Sequence, residues 1–113
     1  MADSVPRQDI LASLAIPAEI RDDMHALIAR SAGAVWQRPG LVPAQRSLMS
    51  LSVLGALGRM EEFRTHIGMA LDNGLTRKEI CEAIMQLGIY AGTPAAVAGF
   101  RVATAVFAER DAT

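Results

Sequence analysis

Apolar positions recur with a helical period along most of this chain. Ile20, Met24, Leu27, Ile28, Ala32 and Val35 predict a first long helix over 18–37, with Trp36 at its end. Gln37-Arg38-Pro39-Gly40 breaks it. Pro43 then opens a helix over 43–58, at a favoured first-turn position. Its apolar residues (Leu48, Met49, Leu51, Val53, Leu54, Ala56 and Leu57) nearly encircle the axis. A helix apolar all round must be buried on all sides, and in so short a chain an oligomer provides that burial more readily than a monomer. Gly55 and Gly58 are expected to permit close backbone approach.

A tight turn leads into a helix from Leu57 to Asn73, with Phe63, Ile67, Ala70 and Leu71 as its apolar stripe. Asn73-Gly74 closes it, Gly74 suiting a left-handed cap. Thr76, with Glu79 three residues on, has the form of a capping box. The helix it starts runs through Ile80, Ala83, Ile84, Leu87 and Gly88 to Tyr90. Ala91-Gly92-Thr93-Pro94 ends it, and a last helix follows over 94–109, anchored by Phe100 and Phe107. Upstream, Ile10 to Ile16 predicts a short helix stopped near Pro17, and residues 1–9 read as a loose arm. The expectation is one all-α domain, a compact helical bundle over 1–113.

Composition sharpens this picture. Apolar residues make up 51% of the 113 residues but aromatics only 4%, so small side chains dominate and close helix packing is favoured. The net charge is −1, with no basic block, which argues against a nucleic-acid partner. The single cysteine, Cys81, cannot form an internal disulfide and falls within an apolar helix, where an unreactive core role is expected. No Cys/His cluster has metal-ligand spacing. No apolar run approaches the ~20 residues of a membrane span, and the first residues lack a signal-peptide pattern. A soluble cytoplasmic protein is the default expectation.

The chemistry centres on His66, one of two histidines. Glu62 lies four residues before it and Arg59 seven before it. On a continuous helix these three share one stripe. His25 is expected at a solvated rim. Glu79 is expected to cap its helix rather than catalyse. Lys78 is the only lysine beside ten arginines, and arginine suits planar, bidentate carboxylate contacts.

Several blocks resemble a known family: RPGL at 38–41, RSLMSLSVLGALGR at 46–59, EEFRTHIGMALDNGLTRKEICEAIMQLGIYAGTPAA at 61–96 and the trailing AGFRVATAVFAE. Their order, over about residues 30–109, is similar to the carboxymuconolactone decarboxylase family, and within it to the 4-carboxymuconolactone decarboxylase branch. The resemblance implies an alkylhydroperoxidase-D-like all-α fold with a central helical hairpin, assembling as a homo-oligomer, trimer or hexamer. It implies cofactor-free decarboxylation of a carboxylated, lactone-like small molecule in aromatic-compound catabolism, with neither metal nor nucleotide. Such a site needs a cation for the substrate carboxylates, a donor for the developing enolate oxygen and a general acid. His66 is the expected acid/base, with Glu62 to orient or tune it. Arg46 and Arg59 are the expected anion binders, and Trp36 and Tyr90 the expected walls or donors.

The chain also departs from the family pattern. Residues 30–36 read RSAGAVW, so Ala34 stands where a carboxylate is usual and Ala32 where a tryptophan is. Near the end, PAAVAGFR puts Arg101, a further candidate substrate-binding residue, in place of a histidine. Both changes motivate a second reading, a divergent enzyme of the same fold such as an isomerase, a cyclase or a lactone-processing enzyme. A non-enzymatic oligomeric binding module is a third. Thiol peroxidases of the wider superfamily carry Cys-x-x-Cys-x-x-x-His. Aligned on His66, those cysteine positions are Arg59 and Glu62, which disfavours that chemistry.

Overall fold

A computed structural model describes residues 11–112. A helical turn at 11–13 leads into α1, Arg21–Ile28, which continues through a π-helical turn, Ala29–Gly33, and ends in Ala34–Trp36. The widened turn has a local cause. The Ser31 hydroxyl donates to the Leu27 carbonyl at 2.7 Å, competing with the backbone ladder. No residue of Arg21–Ile28 is buried. The predicted loose arm at 1–9 lies outside the described residues.

Four further helices form the body: α2 (Pro43–Leu57), α3 (Met60–Asp72), α4 (Arg77–Ala91) and α5 (Thr93–Asp111). Among the described residues there are no strands. α2 and α3 form one hairpin and α4 and α5 another. α2 also packs on α4, and α3 on α5, so the four helices close a ring around a shared core. The start signals act as expected. Pro43 occupies the first turn of α2, and the Gln45 side chain accepts the Val42 N–H at 3.1 Å. At α4 the box is reciprocal: the Glu79 N–H donates to the Thr76 hydroxyl at 3.0 Å, and the Thr76 N–H donates to the Glu79 carboxylate at 2.9 Å.

The core is centred on Phe63, fully buried with Leu51, Ile67, Ile80 and Ile84. Glycines make room for it. A Cβ on Gly55 would come within 3.1 Å of the Phe63 ring and 2.8 Å of a Leu87 methyl. Between α4 and α5 the approach is closer still, since a Cβ on Gly88 would lie 2.7 Å from the Ala96 Cβ. One buried polar pair joins the hairpin, Asn73 Nδ2 donating to Ser47 Oγ at 2.9 Å. The end of α5 is clamped by exposed ion pairs, Arg64–Glu109, Arg77–Asp111 and Arg110–Asp72.

Three expectations are corrected. Gly58 makes no close approach; at φ 74° it is the left-handed cap of α2, with open space beside it. Because that cap ends α2, α3 begins only at Met60, and Arg59 precedes it at φ −84°, ψ 73°, outside helical geometry. In the single chain one side of α2 is open, with Met49 61% and Leu57 64% exposed, so burial on all sides would require a partner subunit. Phe100 is not a core anchor but lies exposed, while Phe107 is half-buried under the Arg77 guanidinium, 5.0 Å from the ring centre.

Candidate active site

One face of α2 lies outside the core except at Leu54, which also packs against it. Arg46, Met49, Ser50, Val53 and Leu54 follow the spacing i, i+3, i+4, i+7, i+8, which puts them on a single stripe. That stripe forms the long wall of a cavity of about 330 Å³. Val35 and Trp36, at the end of the α1 rod, form a second wall, and His66 on α3 contributes from the third side. The Pro39-Gly40 break makes this possible, because it reverses the chain so that Trp36 returns over α3. The Trp36 and His66 rings lie 6.3 Å apart, tilted by 36°.

The polar groups here are incompletely satisfied. His66 Nδ1 and Arg46 Nε are both buried without a hydrogen-bond partner among the described residues. Arg46 is held by its other end, with Nη2 donating to the Arg38 carbonyl at 3.1 Å. The RPGL loop therefore aims this guanidinium. A buried donor without a partner costs about 1–3 kcal/mol, and a polar ligand offsets that cost. Burial holds the His66 imidazole below its usual proton affinity, and the negative charge of Glu62 one turn away partly reverses the effect. His66 is accordingly neutral near pH 7 in the empty site.

Of the expected site residues, the structure brings together His66, Arg46 and Trp36. Glu62 is exposed and does not line the cavity, so it reaches His66 through its field rather than as a wall. Arg59 is also exposed and outside the cavity, because the helix it was expected to share starts after it. Tyr90, 85% exposed, and Arg101 stand on the far helices and line no part of this cavity in the single chain. Nor does Ala34 line it. Cys81 is half-buried on α4 and Glu79 caps that helix. His25 is less solvated than expected, with Nε2 buried and unpartnered among the described residues. The wall residues Val35, Met49, Ser50, Val53 and Leu54 were not singled out as site residues. The all-round apolar character of α2 was the available signal, since it marked an apolar surface beyond what the core needs.

Among the described residues, no three His, Cys, Asp or Glu side chains converge as a metal site. No helix among them is long and apolar enough to cross a membrane.

A small all-helical chain with a half-buried cation and an imidazole beside an apolar wall defines a class of small-molecule site. The model of the carboxymuconolactone decarboxylase family matches residues 22–105, and the chain belongs to that family. It is 42% identical over 90 residues to the 4-carboxymuconolactone decarboxylase of Acinetobacter baylyi, covering 79% of this chain and 67% of that protein. It is also 42% identical over 65 residues to the nitrosuccinic acid decarboxylase of Metarhizium robertsii, covering 58% of this chain. The chain spans only 46% of that second relative. An uncharacterised 15.0 kDa protein of Paracoccus denitrificans is 32% identical over 81 residues, 70% of this chain and 60% of that protein.

Proposed function

We propose that the protein is a carboxy-lyase that decarboxylates a small carboxylated molecule in this cavity, without a cofactor. The observation that carries the reading is the pairing of two unsatisfied groups, Arg46 Nε and His66 Nδ1, on residues of one cavity. Two relatives named as decarboxylases support it. The bond from the substrate carbon to its carboxylate breaks heterolytically. Carbon dioxide leaves, and the electron pair moves into a conjugated acceptor such as the carbonyl of a lactone. A proton then restores the carbon. Arg46 holds an anionic group of the substrate. His66, neutral near pH 7, gains proton affinity when that anion arrives, takes a proton from solvent and delivers it to the carbon that carbon dioxide has left. Glu62 tunes His66 by charge. Trp36 forms the wall beside His66.

A 4-carboxymuconolactone-type substrate is the leading choice, and nitrosuccinate the second because of the fungal relative's name. The divergent isomerase or cyclase reading rested on Ala34 and Arg101, and their position off the cavity wall weakens it. The exposed apolar residues Leu57 of α2 and Met85, Ile89 and Tyr90 of α4, which line no part of this cavity, support a homo-oligomer of alkylhydroperoxidase-D-like subunits. In that assembly Tyr90 and Arg101 approach a site only from a neighbouring subunit. The test is carbon dioxide release from each of the two acids by purified protein without added metal or nucleotide. Release that is lost in His66→Ala is expected; full release by His66→Ala would overturn the assignment.

A further inference from the structure

The cavity has two unlike ends. Arg46 stands in the first turns of α2, and Val53 and Leu54 lie seven and eight residues further on. At 1.5 Å per residue the stripe runs about 10 Å from cation to hydrocarbon. Arg46 is the only charged residue on the lining, and Ser50 the only hydroxyl; both fall in its first half, before Val53 and Leu54. The backbone adds to this polarity, because the positive end of the α2 dipole is the Arg46 end.

We propose that substrate binds in one direction along α2, with a retained anionic group at Arg46 and the departing carboxylate against Val53 and Leu54. This rests on the decarboxylase reading for the departure step only. A carboxylate against an apolar wall loses hydration that the wall does not replace. As the C–C bond breaks, its charge leaves the two oxygens: carbon dioxide departs neutral, and the electron pair spreads into the conjugated acceptor. The wall therefore opposes the ground state more than the transition state, which lowers the barrier. The retained anion at Arg46 supplies the binding that holds the second carboxylate in this place. Val53 is then a specificity-determining residue, because a cation there would favour the bound carboxylate over its departure.

Trp36 is the only tryptophan and lines the cavity, so its fluorescence reports occupancy. The probes are butanoate, with one carboxylate and an apolar tail, and succinate, with a carboxylate at each end. Wild-type protein should bind butanoate more tightly, by about tenfold. Arg46→Gln should lose both. Val53→Lys, or Val53→Arg as a second variant, should invert the preference; the site is half-exposed and accepts either side chain without unfolding. Equal or tighter binding of succinate by wild type, an unchanged ratio in both variants, or no saturable binding of either acid would each overturn the proposal. In the carbon dioxide assay, Val53→Lys should lower KM and lower kcat by about tenfold; a raised kcat would overturn the departure step. Absence of release from wild type, with the butanoate preference intact, would sink the decarboxylase reading and leave the polarity of the site standing.

Discussion

Phe63 and His66 are three residues apart on α3, and their surroundings are opposites. Phe63 is fully buried, and glycines on two neighbouring helices give up their side chains to seat it. His66 is only half-buried, beside open space, with a ring nitrogen that no side chain satisfies. One face of the helix is packed to its limit and the next is left unfinished. The fold is carried by the first face, so the second is free to hold unsatisfied polar groups for a ligand.

The comparison is broken most forcefully at Phe63. Phe63→Ala should cost about 3–5 kcal/mol of stability by opening a cavity in the ring of helices, read as a lower midpoint in urea. Overpacking the same core is next. Gly88→Ala places a methyl 2.7 Å from the Ala96 Cβ, where only separation of α4 and α5 can relieve it. Strain of about 1–3 kcal/mol outweighs the helix propensity gained. An increase in stability would show that the helices part freely. Ser47→Ala should cost about 1–2 kcal/mol, since it leaves the buried Asn73 amide without an acceptor.

On the His66 side the expected effects are smaller and depend on pH. Its proton affinity is lowered in the folded chain. The unfolded chain binds the proton near about pH 6.5 while the folded chain still refuses it. This contribution to stability is therefore complete above that value and is lost as the pH falls below it. His66→Gln should flatten that acid-side slope, and Glu62→Gln should extend it to lower pH, because the raising influence on His66 is gone. Urea midpoints compared at neutral and mildly acid pH decide the matter. Least affected of all should be Arg64→Ala: its exposed pair with Glu109 is worth less than about 1 kcal/mol.

Much of this molecule is legible in its sequence because its signals are local. Pro43, the Thr76–Glu79 box and the Gly74 cap act within one turn of themselves, and the helices start and stop where they indicate. The family membership follows from ordered blocks of residues that the family model also matches. Arg59 shows where local reading fails. Its place on the His66 stripe required one uninterrupted helix, but Gly58 spends its left-handed geometry on capping α2. The cavity wall was hidden for a different reason. Met49, Val53 and Leu54 carry the same apolar signature as core residues, and only the ring of four helices decides which face of α2 meets the core. Trp36 joined His66 through a chain reversal of some thirty residues, a long-range pairing that no periodicity encodes.

The most direct test of this division is turnover per folded molecule, carbon dioxide release from 4-carboxymuconolactone or nitrosuccinate, in Phe63→Leu and His66→Ala side by side. The account predicts that Phe63→Leu, though less stable, keeps wild-type turnover per folded molecule, while His66→Ala stays folded and loses about a hundredfold or more. His66→Ala turning over within twofold of wild type would contradict it.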